Sequence, residues 1–411
     1  MDWTRRGLLV ATGVVAAGKI LSATPARAAK GRYDTGASDT EIRIGSIFPY
    51  SGPASAYGVI GKVEAAWFRK VNDAGGVNGR KVTFISYDDA YNPAKAVEQV
   101  RRLVEGDGVL AIFNPLGNPS NTAIQKYLND RRVPQLFVAT GTTKWGDYRH
   151  FPWTMSGQPP YQAEAMVYAR MILERTPDAR IGVLFQNDDF GKDYLAGLRA
   201  GLGARADAMI VATAPYELSD TTVDAQLVKL RAAGATVFVN VATSKFAAQA
   251  IRRIAEMGWA PEQYLVSVSQ TVAGTMRPAG LENGKGVISS YYLKDPADPA
   301  WSDDAGMKAM NAFLDEYLPD VDRNNILNVY GYVLAQLLTR VLERCGDDLT
   351  RDNLLRQATS INDLRLDMLL PGVAINTAPD NYFPFRQLQP LQFDGARWRP
   401  LGAVIAGEVS L

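Results

Sequence analysis

The sequence of 411 residues predicts an α/β protein built on parallel sheets. Short runs rich in Ile, Val and Phe, typical of buried strands, alternate with longer segments whose apolar residues recur at helical spacing. This alternation favours parallel sheets covered by helices on both faces. It also falls into two successive series, which predicts two similar lobes.

The first series begins at Glu41 with EIRIGSIFPY, a buried strand by its Ile and Phe content. A helix follows and ends at the Gly75-Gly76 stop. The predicted strands of this series are Glu41–Tyr50, Lys81–Asp89, Gly108–Phe113 and Val133–Ala139. The predicted helices are Ala65–Asn72, Pro93–Val104 and Ser120–Asn129.

The second series follows MSGQPPYQ and echoes the first, because FISYDDAY and VLFQNDDF each place two aspartates near an aromatic at a strand end. Its predicted strands are Arg180–Gln186, Met209–Ala212, Thr236–Ala242 and Tyr264–Ser269. Its predicted helices are Ala163–Arg175, Lys192–Leu202, Thr222–Ala232 and Ser244–Met257. Two more helices are expected at Ala305–Tyr317 and Asn325–Glu343, then a strand-like tail with a hairpin turn at Asp394-Gly395.

The N-terminus has the layout of a secretory signal peptide over residues 1–28. Arg5 and Arg6 precede a small, apolar stretch, and Ala26-Arg27-Ala28 offers a cleavage site. The stretch is interrupted by Lys19 and is too short to span a bilayer. TRRGLLV partly matches a twin-arginine export motif, so twin-arginine and general secretory export both remain open. An amphipathic helix of a cytosolic protein is the alternative; export predicts a soluble periplasmic protein.

Composition excludes several classes of protein. A formal net charge of +1 provides no electrostatic case for nucleic acid or an anionic membrane. With one cysteine, Cys345, no internal disulfide can form, and with one histidine, His150, no Cys/His zinc site is possible. We therefore expect neither a metal nor a cofactor.

Motifs of enzyme catalysis are missing from the sequence. His150 lies between aromatics with no nucleophile motif nearby, which favours a structural or surface role. There is no G-x-S-x-G and no phosphate-binding loop. The pairs Asp88-Asp89 and Asp188-Asp189 are compatible with a metal, but loop or helix-capping roles are favoured.

Two loops at predicted strand ends are rich in small polar residues: Asn114–Ser120 and Thr140–Thr143. Open α/β sheets bind ligands at the carboxyl ends of their strands. Hydroxyls and main-chain N–H groups there suit a carboxylate, helped by the positive end of a helix. Turn and capping chemistry uses the same residue types and is the alternative explanation.

Four segments together resemble the periplasmic binding proteins of the leucine/isoleucine/valine type, from about Glu41 to the C-terminus. They are IGSIFPYSGPASAYG, NDAGGVNGRKV, YDDAYNPAKAVEQVRRLV and NDDFGKDYLAGL. The resemblance implies two doubly wound parallel-sheet lobes joined by a three-strand hinge. The first would hold Glu41–Ser156 and Ser290–Leu364, and the second Gly157–Ser289 and the tail from residue 365 to 411.

The resemblance also implies that the ligand lies in the cleft and that the first lobe grips its carboxylate. The first-lobe positions implied are Tyr57, Asn118, Ser120, Ala139, Thr140, Gly141 and Thr142. The second-lobe positions implied are Tyr161, Gln162, Phe190, Ala242, Thr243 and the stretch from Ser267 to Gln270, in which Ser269 and Gln270 are the chosen contacts.

Two departures from the family bear on the ligand. The loop SVSQTV lacks the acidic residue that would neutralise the ammonium of an amino acid, and a desolvated ammonium without a counter-charge is costly. This predicts a carboxylate with an apolar or aromatic body, since the tail also resembles that of aromatic-acid binders. The usual lobe-1 disulfide is missing, and Tyr91 and Gly117 occupy the matching positions.

The function implied is the substrate-binding component of an ABC-type importer, a monomer that closes around its ligand and docks on a membrane permease with its ATPase. A binder of branched-chain or other hydrophobic amino acids is one alternative. A ligand-binding module of a sensory system has the same fold and is another, and an exported α/β enzyme is the third.

Overall fold

The protein is described by a computed structural model that covers residues 31–406, so the predicted signal peptide lies outside the described residues. The strands are β1 (Arg32–Tyr33), β2 (Glu41–Phe48), β3 (Lys81–Asp88), β4 (Ala111–Phe113), β5 (Gln135–Val138), β6 (Thr154–Ser156), β7 (Ile181–Gln186), β8 (Ile210–Tyr216), β9 (Val237–Val241), β10 (Glu262–Leu265), β11 (Ile288–Tyr291), β12 (Asp348–Leu349), β13 (Gln387–Phe393), β14 (Trp398–Pro400) and β15 (Ile405–Ala406). The helices are α1 (Val59–Asp73), α2 (Pro93–Arg101), α3 (Asn118–Asp130), α4 (Tyr161–Arg175), α5 (Asp189–Leu202), α6 (Ala206–Met209), α7 (Asp224–Ala232), α8 (Ser244–Glu256), α9 (Arg277–Ala279), α10 (Ala305–Tyr317), α11 (Ile326–Cys345) and α12 (Arg351–Ala358).

The first sheet has five parallel strands in the order β3-β2-β4-β5-β6. Its inner strand β2, which lies between β3 and β4, is buried on both faces. Ile44 and Phe48 pack in the core that also holds Ile60 of α1, while Ile47 faces the core built around α2 and α3. Because side chains alternate across a strand, burial on both faces explains the three Ile and one Phe of β2.

The second sheet runs in the order β14-β13-β11-β10-β9-β7-β8. Its five strands from β8 to β11 are parallel, while β13 pairs antiparallel with both β11 and β14. The parallel strands of the second sheet, in the order β8-β7-β9-β10-β11, repeat the pattern β3-β2-β4-β5-β6 of the first sheet. In both sheets the strand that comes first in the chain lies second from the edge. The prediction of two similar doubly wound lobes is therefore confirmed.

The chain passes between the two sheets three times: between β6 and α4, after β11, and just before β13. The last passage comes later than the predicted change of lobe at Leu364. Residues 364–384 instead contact the first lobe's side: the Tyr382 hydroxyl donates to the Pro152 carbonyl (3.2 Å), and its ring lies 5.9 Å from Tyr148. In this stretch, backbone N–H and C=O groups form hydrogen bonds within local turns such as Ala378–Asn381. Strand β13, which belongs to the second sheet, therefore begins only at Gln387.

Several boundaries differ from the predictions for identifiable reasons. The strand predicted over Tyr264–Ser269 ends at Leu265, because the N–H and hydroxyl of Ser267 donate to Glu164 instead of continuing the ladder. Helix α12 was not predicted; the side chain of Thr350 caps it by accepting from the Asn353 N–H. The hairpin at Asp394-Gly395 is confirmed, with Gly395 at φ +100°. Within residues 31–406, no helix combines the length and apolar character that crossing a bilayer requires.

Candidate ligand-binding site

The carboxyl ends of both sheets meet around a cavity. Most lining residues lie at or after the carboxyl end of a strand, as expected for doubly wound sheets. The exceptions lie on the helices α1 and α11. Six aromatic residues line it: Tyr57, Tyr91, Tyr161, Phe190, Tyr291 and Tyr330. The other lining residues are Ile60, Leu116, Gly117, Asn118, Ala139, Thr140, Gln158, Thr243, Val268 and Leu327. The cavity is thus mainly apolar, with a few polar groups.

Tyr57 joins the two lobes at the cavity. Its hydroxyl accepts from the backbone N–H and the hydroxyl of Ser244, both at 3.1 Å. It also donates to Ser269 Oγ (3.1 Å), since the Ser269 hydroxyl itself donates to the Ala242 carbonyl (2.6 Å). These bonds cross the gap between the lobes, so the structure is a closed form.

A second group of contacts closes the opposite side of the gap. Asp193 on α5 accepts from the backbone N–H (2.8 Å) and hydroxyl (2.9 Å) of Thr143 in the first lobe. Lys144 next to it pairs with Asp189 of α5. Burial raises the pKa of Asp193, and its hydrogen bonds from Gln162 and Thr143 oppose that rise.

One end of the cavity, on the first lobe, is polar; it is formed by Gly117, Asn118 and Thr140 and is called the polar pole below. Gly117 and Asn118 begin α3 there, so the positive end of the helix faces this region. Thr140 is 2% exposed. Its hydroxyl lies close to the Tyr161 side chain but makes no hydrogen bond of normal length and angle among the described residues. An unpartnered buried hydroxyl beside a helix N-terminus fits an anionic oxygen.

Two side-chain amides line the same region, and each is held by an aromatic residue. The Gln158 Oε1 accepts from the Tyr292 hydroxyl (3.0 Å), which directs its Nε2 to the other side. The Asn118 Oδ1 accepts from Trp145 Nε1 (2.9 Å), and its Nδ2 donates to Thr142 Oγ1 (2.5 Å). The amide orientations are therefore set before a ligand arrives.

The family model described as "Periplasmic binding protein" matches residues 41–392. The chain belongs to the periplasmic binding protein family. It is 22% identical over 326 residues to Leu/Ile/Val-binding protein homolog 1 of Brucella abortus, covering 76% of this chain and 81% of that protein. It is 26% identical over 205 residues to Leu/Ile/Val-binding protein homolog 3 of Brucella melitensis, but this match spans 49% of this chain and only 54% of that relative.

A solved structure titled as a branched chain amino acid ABC transporter from Thermus thermophilus with bound valine has the same fold. Its TM-score is 0.79 at 14% identity, covering 90% of this chain and 97% of that chain. The relatives of this periplasmic binding protein are binding proteins, which confirms the prediction that it is not an enzyme.

Half of the site residues implied from sequence line the cavity of this binding protein: Tyr57, Asn118, Ala139, Thr140, Tyr161, Phe190 and Thr243. The others lie in the surrounding wall, where each has a side-chain or backbone group in a hydrogen bond, although the Gln270 Oε1 has no partner among the described residues. Ser120 donates to Asp89, Gln162 donates to Asp193, and Thr142 accepts from Asn118. The carbonyls of Gly141, Ala242 and Gln270 accept from Tyr161, Ser269 and Trp398. These six residues and Ser269 therefore support the cavity rather than line it.

Sequence analysis missed Tyr91, Gln158 and Tyr330 as lining residues. A signal for Tyr91 was present, since the FISYDDAY/VLFQNDDF echo pairs it with Phe190, and both rings do line the cavity. Gln158 lies in the crossing segment MSGQPPYQ. Tyr330 lies on α11, and no local pattern distinguishes it from the core residues around it.

The aspartate pairs act in turns and caps, as favoured. The Asp188 side chain caps α5 by accepting from the N–H groups of Phe190 and Gly191, and Asp89 accepts from the Tyr91 N–H. Within residues 31–406, no cluster of three or more potential metal ligands occurs. His150 is exposed and contacts Asp147 (2.8 Å).

The loop SVSQTV, which has no acidic residue of its own, packs against a buried carboxyl group from another element. Glu164 of α4 lies behind this loop and accepts from the Ser267 N–H (2.7 Å) and hydroxyl (2.6 Å). The hydroxyls of Tyr168 (2.6 Å) and Tyr194 (2.8 Å) also donate to it. The loop itself therefore holds no carboxylate, and Glu164 supports it from behind without lining the cavity; burial raises the pKa of Glu164.

Changing Tyr57 to phenylalanine is expected to weaken lobe closure. The variant keeps the ring but loses the hydroxyl that accepts from Ser244 and donates to Ser269. Because each net hydrogen bond contributes about 1 kcal/mol, ligand release measured by stopped-flow fluorescence should accelerate roughly tenfold. Tyr87→Phe, on the outer side of the first lobe, is the matched control. An unchanged release rate in Tyr57→Phe would contradict the role of this hydroxyl.

Proposed function

We propose that this chain is the substrate-binding component of an ABC-type importer, exported to the periplasm, which captures a small carboxylate between its lobes. The observation that carries the proposal is the closed cavity at the carboxyl ends of both sheets, with an unpartnered Thr140 hydroxyl at its polar pole. The relatives described above, Leu/Ile/Val-binding proteins and an ABC transporter with bound valine, support the same function.

The carboxylate end of the ligand would lie at the polar pole of the first lobe. Thr140 supplies a hydroxyl, Gln158 an amide N–H group, and the start of α3 at Asn118 the positive end of a helix. The body of the ligand would lie among the six aromatic residues. Such a lining suits an aromatic acid or an amino-acid-like molecule with an apolar side chain.

Binding would follow from a hinge equilibrium. The cross-lobe bonds of Tyr57 and Thr143 form only when the lobes meet, and a ligand that touches both lobes adds to them. Its differential affinity for the closed form then shifts the population. We propose that the closed protein, as a monomer, docks on a membrane permease whose ATPase drives release.

Replacing Thr140 with valine tests the polar pole directly. The change keeps the shape of the side chain and removes the hydroxyl, whose hydrogen bond to a charged group is worth about 1.5–3 kcal/mol. The dissociation constant, measured by calorimetry against benzoates, cinnamates and aliphatic amino acids, should rise by roughly 10- to 100-fold for whichever binds. Thr213→Val, on β8 and away from the cavity, is the control. Equal affinity in Thr140→Val, or no binding of any carboxylate to the wild type, would sink the proposal.

A further inference from the structure

We propose that the ligand of this cavity carries, besides its carboxylate, a positively charged nitrogen without N–H groups, held among the aromatic walls. This inference rests on the proposed function and names the class of its substrate: a zwitterion of the N-alkylated or N-methylpyridinium type.

The first support is the charge behind the aromatic walls. Two buried carboxyl groups and one half-buried carboxyl group each lie two or three residues from a lining aromatic: Asp89 before Tyr91, Glu164 after Tyr161, and the half-buried Asp188 before Phe190. Burial raises the pKa of each of them, since nearby apolar walls disfavour the charged form. A cation in the cavity opposes that effect, because it stabilises the ionised carboxylates.

The second support is that no basic group balances these acids. The sixteen lining residues include no Lys, Arg or His. Among the described residues, the hydrogen-bond partners of Asp89, Asp188 and Glu164 are all neutral hydroxyl, amide or backbone groups. A ligand with only a negative charge would therefore meet acidic groups around its body and no counter-charge. A zwitterion brings its own positive charge to that region.

The third support is the surface that the tyrosines present. The Tyr57 hydroxyl is bonded across the lobes, and the Tyr330 hydroxyl lies within hydrogen-bond distance of Asn114 (3.3 Å) and of the Gly157 carbonyl (3.3 Å). Because these two hydroxyls form their contacts within the wall, the Tyr57 and Tyr330 side chains contribute mainly their rings to the cavity lining. A cation near such rings gains about 0.5–2 kcal/mol from each well-placed ring.

Hydrogen-bond capacity argues against a primary ammonium. An ammonium has three N–H groups that each need an acceptor. Glu164 already accepts four hydrogen bonds, and Asp188 accepts three, from Phe190, Gly191 and Gln186. The oxygens of Asn118 and Gln158 that line the cavity are also accepting. A nitrogen without N–H groups gains from the charge and the rings and leaves no donor unsatisfied.

Two matched pairs of probes test this by calorimetry on the mature protein. N-methylnicotinate and 3-methylbenzoate have the same shape and differ only by a ring nitrogen cation. N,N-dimethylproline carries two N-methyl groups where zwitterionic proline has two N–H groups. We expect the first member of each pair to bind at least roughly tenfold more tightly. Equal or reversed order in either pair overturns the inference.

The failure of this inference is distinguishable from that of the proposed function. If benzoate, cinnamate or leucine binds while N-methylnicotinate and N,N-dimethylproline do not, the proposed carboxylate site is supported. The proposed site for a positively charged nitrogen without N–H groups is then wrong. If no carboxylate binds, both fail.

Asp188→Asn provides an independent check, because asparagine still caps α5 but carries no charge. The preference for N-methylnicotinate over 3-methylbenzoate should fall by roughly tenfold in this variant, as expected for charges several ångströms apart in a protein. Asp178→Asn, which removes an exposed charge from the same lobe, should leave the preference unchanged. An unchanged preference in Asp188→Asn contradicts the electrostatic part of the inference.

Discussion

Replacing Gly117 with alanine is expected to lower the free energy of unfolding by about 3 kcal/mol and to abolish ligand binding. Gly117 has φ +90° and ψ 146°, a backbone conformation that residues with a Cβ rarely adopt. A Cβ there would lie 2.1 Å from Cε2 of Tyr91, whose ring lines the cavity. The added methyl therefore strains the backbone and also displaces a cavity wall.

Urea unfolding and calorimetry measure the two effects separately. Gly75→Ala is the matched control, since Gly75 has φ +100° but nothing within 4 Å of an added Cβ. It should show only the backbone part of the destabilisation and keep full binding. The account of Gly117 fails if both alanine variants lose the same stability and both still bind ligand.

The same contact lies where the resemblance places the family's usual first-lobe disulfide. Tyr91 and Gly117, the two matching positions, touch in this protein. The tyrosine ring packs directly on the glycine, so packing joins the two loops at this point. Because the ring also faces the cavity, this contact adds an aromatic wall that a disulfide does not provide.

Replacing Glu64 with methionine is expected to stabilise the protein, and by more as the pH rises. Glu64 of α1 is fully buried, neither carboxyl oxygen has a hydrogen-bond partner among the described residues, and burial raises its pKa well above its usual value of 4.5. The folded state therefore keeps its proton at pH values where the unfolded chain has lost it. Stability from this group is present below about pH 4.5 and is lost as the pH rises toward the folded pKa.

The expected gain from Glu64→Met is about 1.4 kcal/mol for each pH unit of that window. Methionine has a similar length, favours helices and brings no polar atom into the core. Urea midpoints at about pH 5 and about pH 7 measure the change. Glu98→Met, an exposed glutamate of α2, should show no such trend. A pH-independent gain, or a loss of stability at the higher pH, contradicts the prediction.

Local pattern was sufficient for most elements of the fold. Strand β2 is apolar because both of its faces are buried, and α5 begins where Asp188 can cap it. The polar loop before α3 was also recognisable, because Thr140 and Asn118 follow strands of the same sheet. The tail was harder, since alternation around Tyr382 resembles a strand although turns and contacts with the first lobe hold it.

The sequence by itself determined the two wound lobes, the polar pole at Asn118 and Thr140, and membership of a binding-protein class without catalytic motifs. Only the tertiary structure decided which aromatic residues line the cavity and which acidic residues lie behind them. Tyr330 comes from α11, and Glu164 reaches the Ser267 loop from a helix 103 residues earlier. Hydrophobic periodicity records which face of an element is buried, whereas the chemistry of a cleft depends on which distant elements meet there.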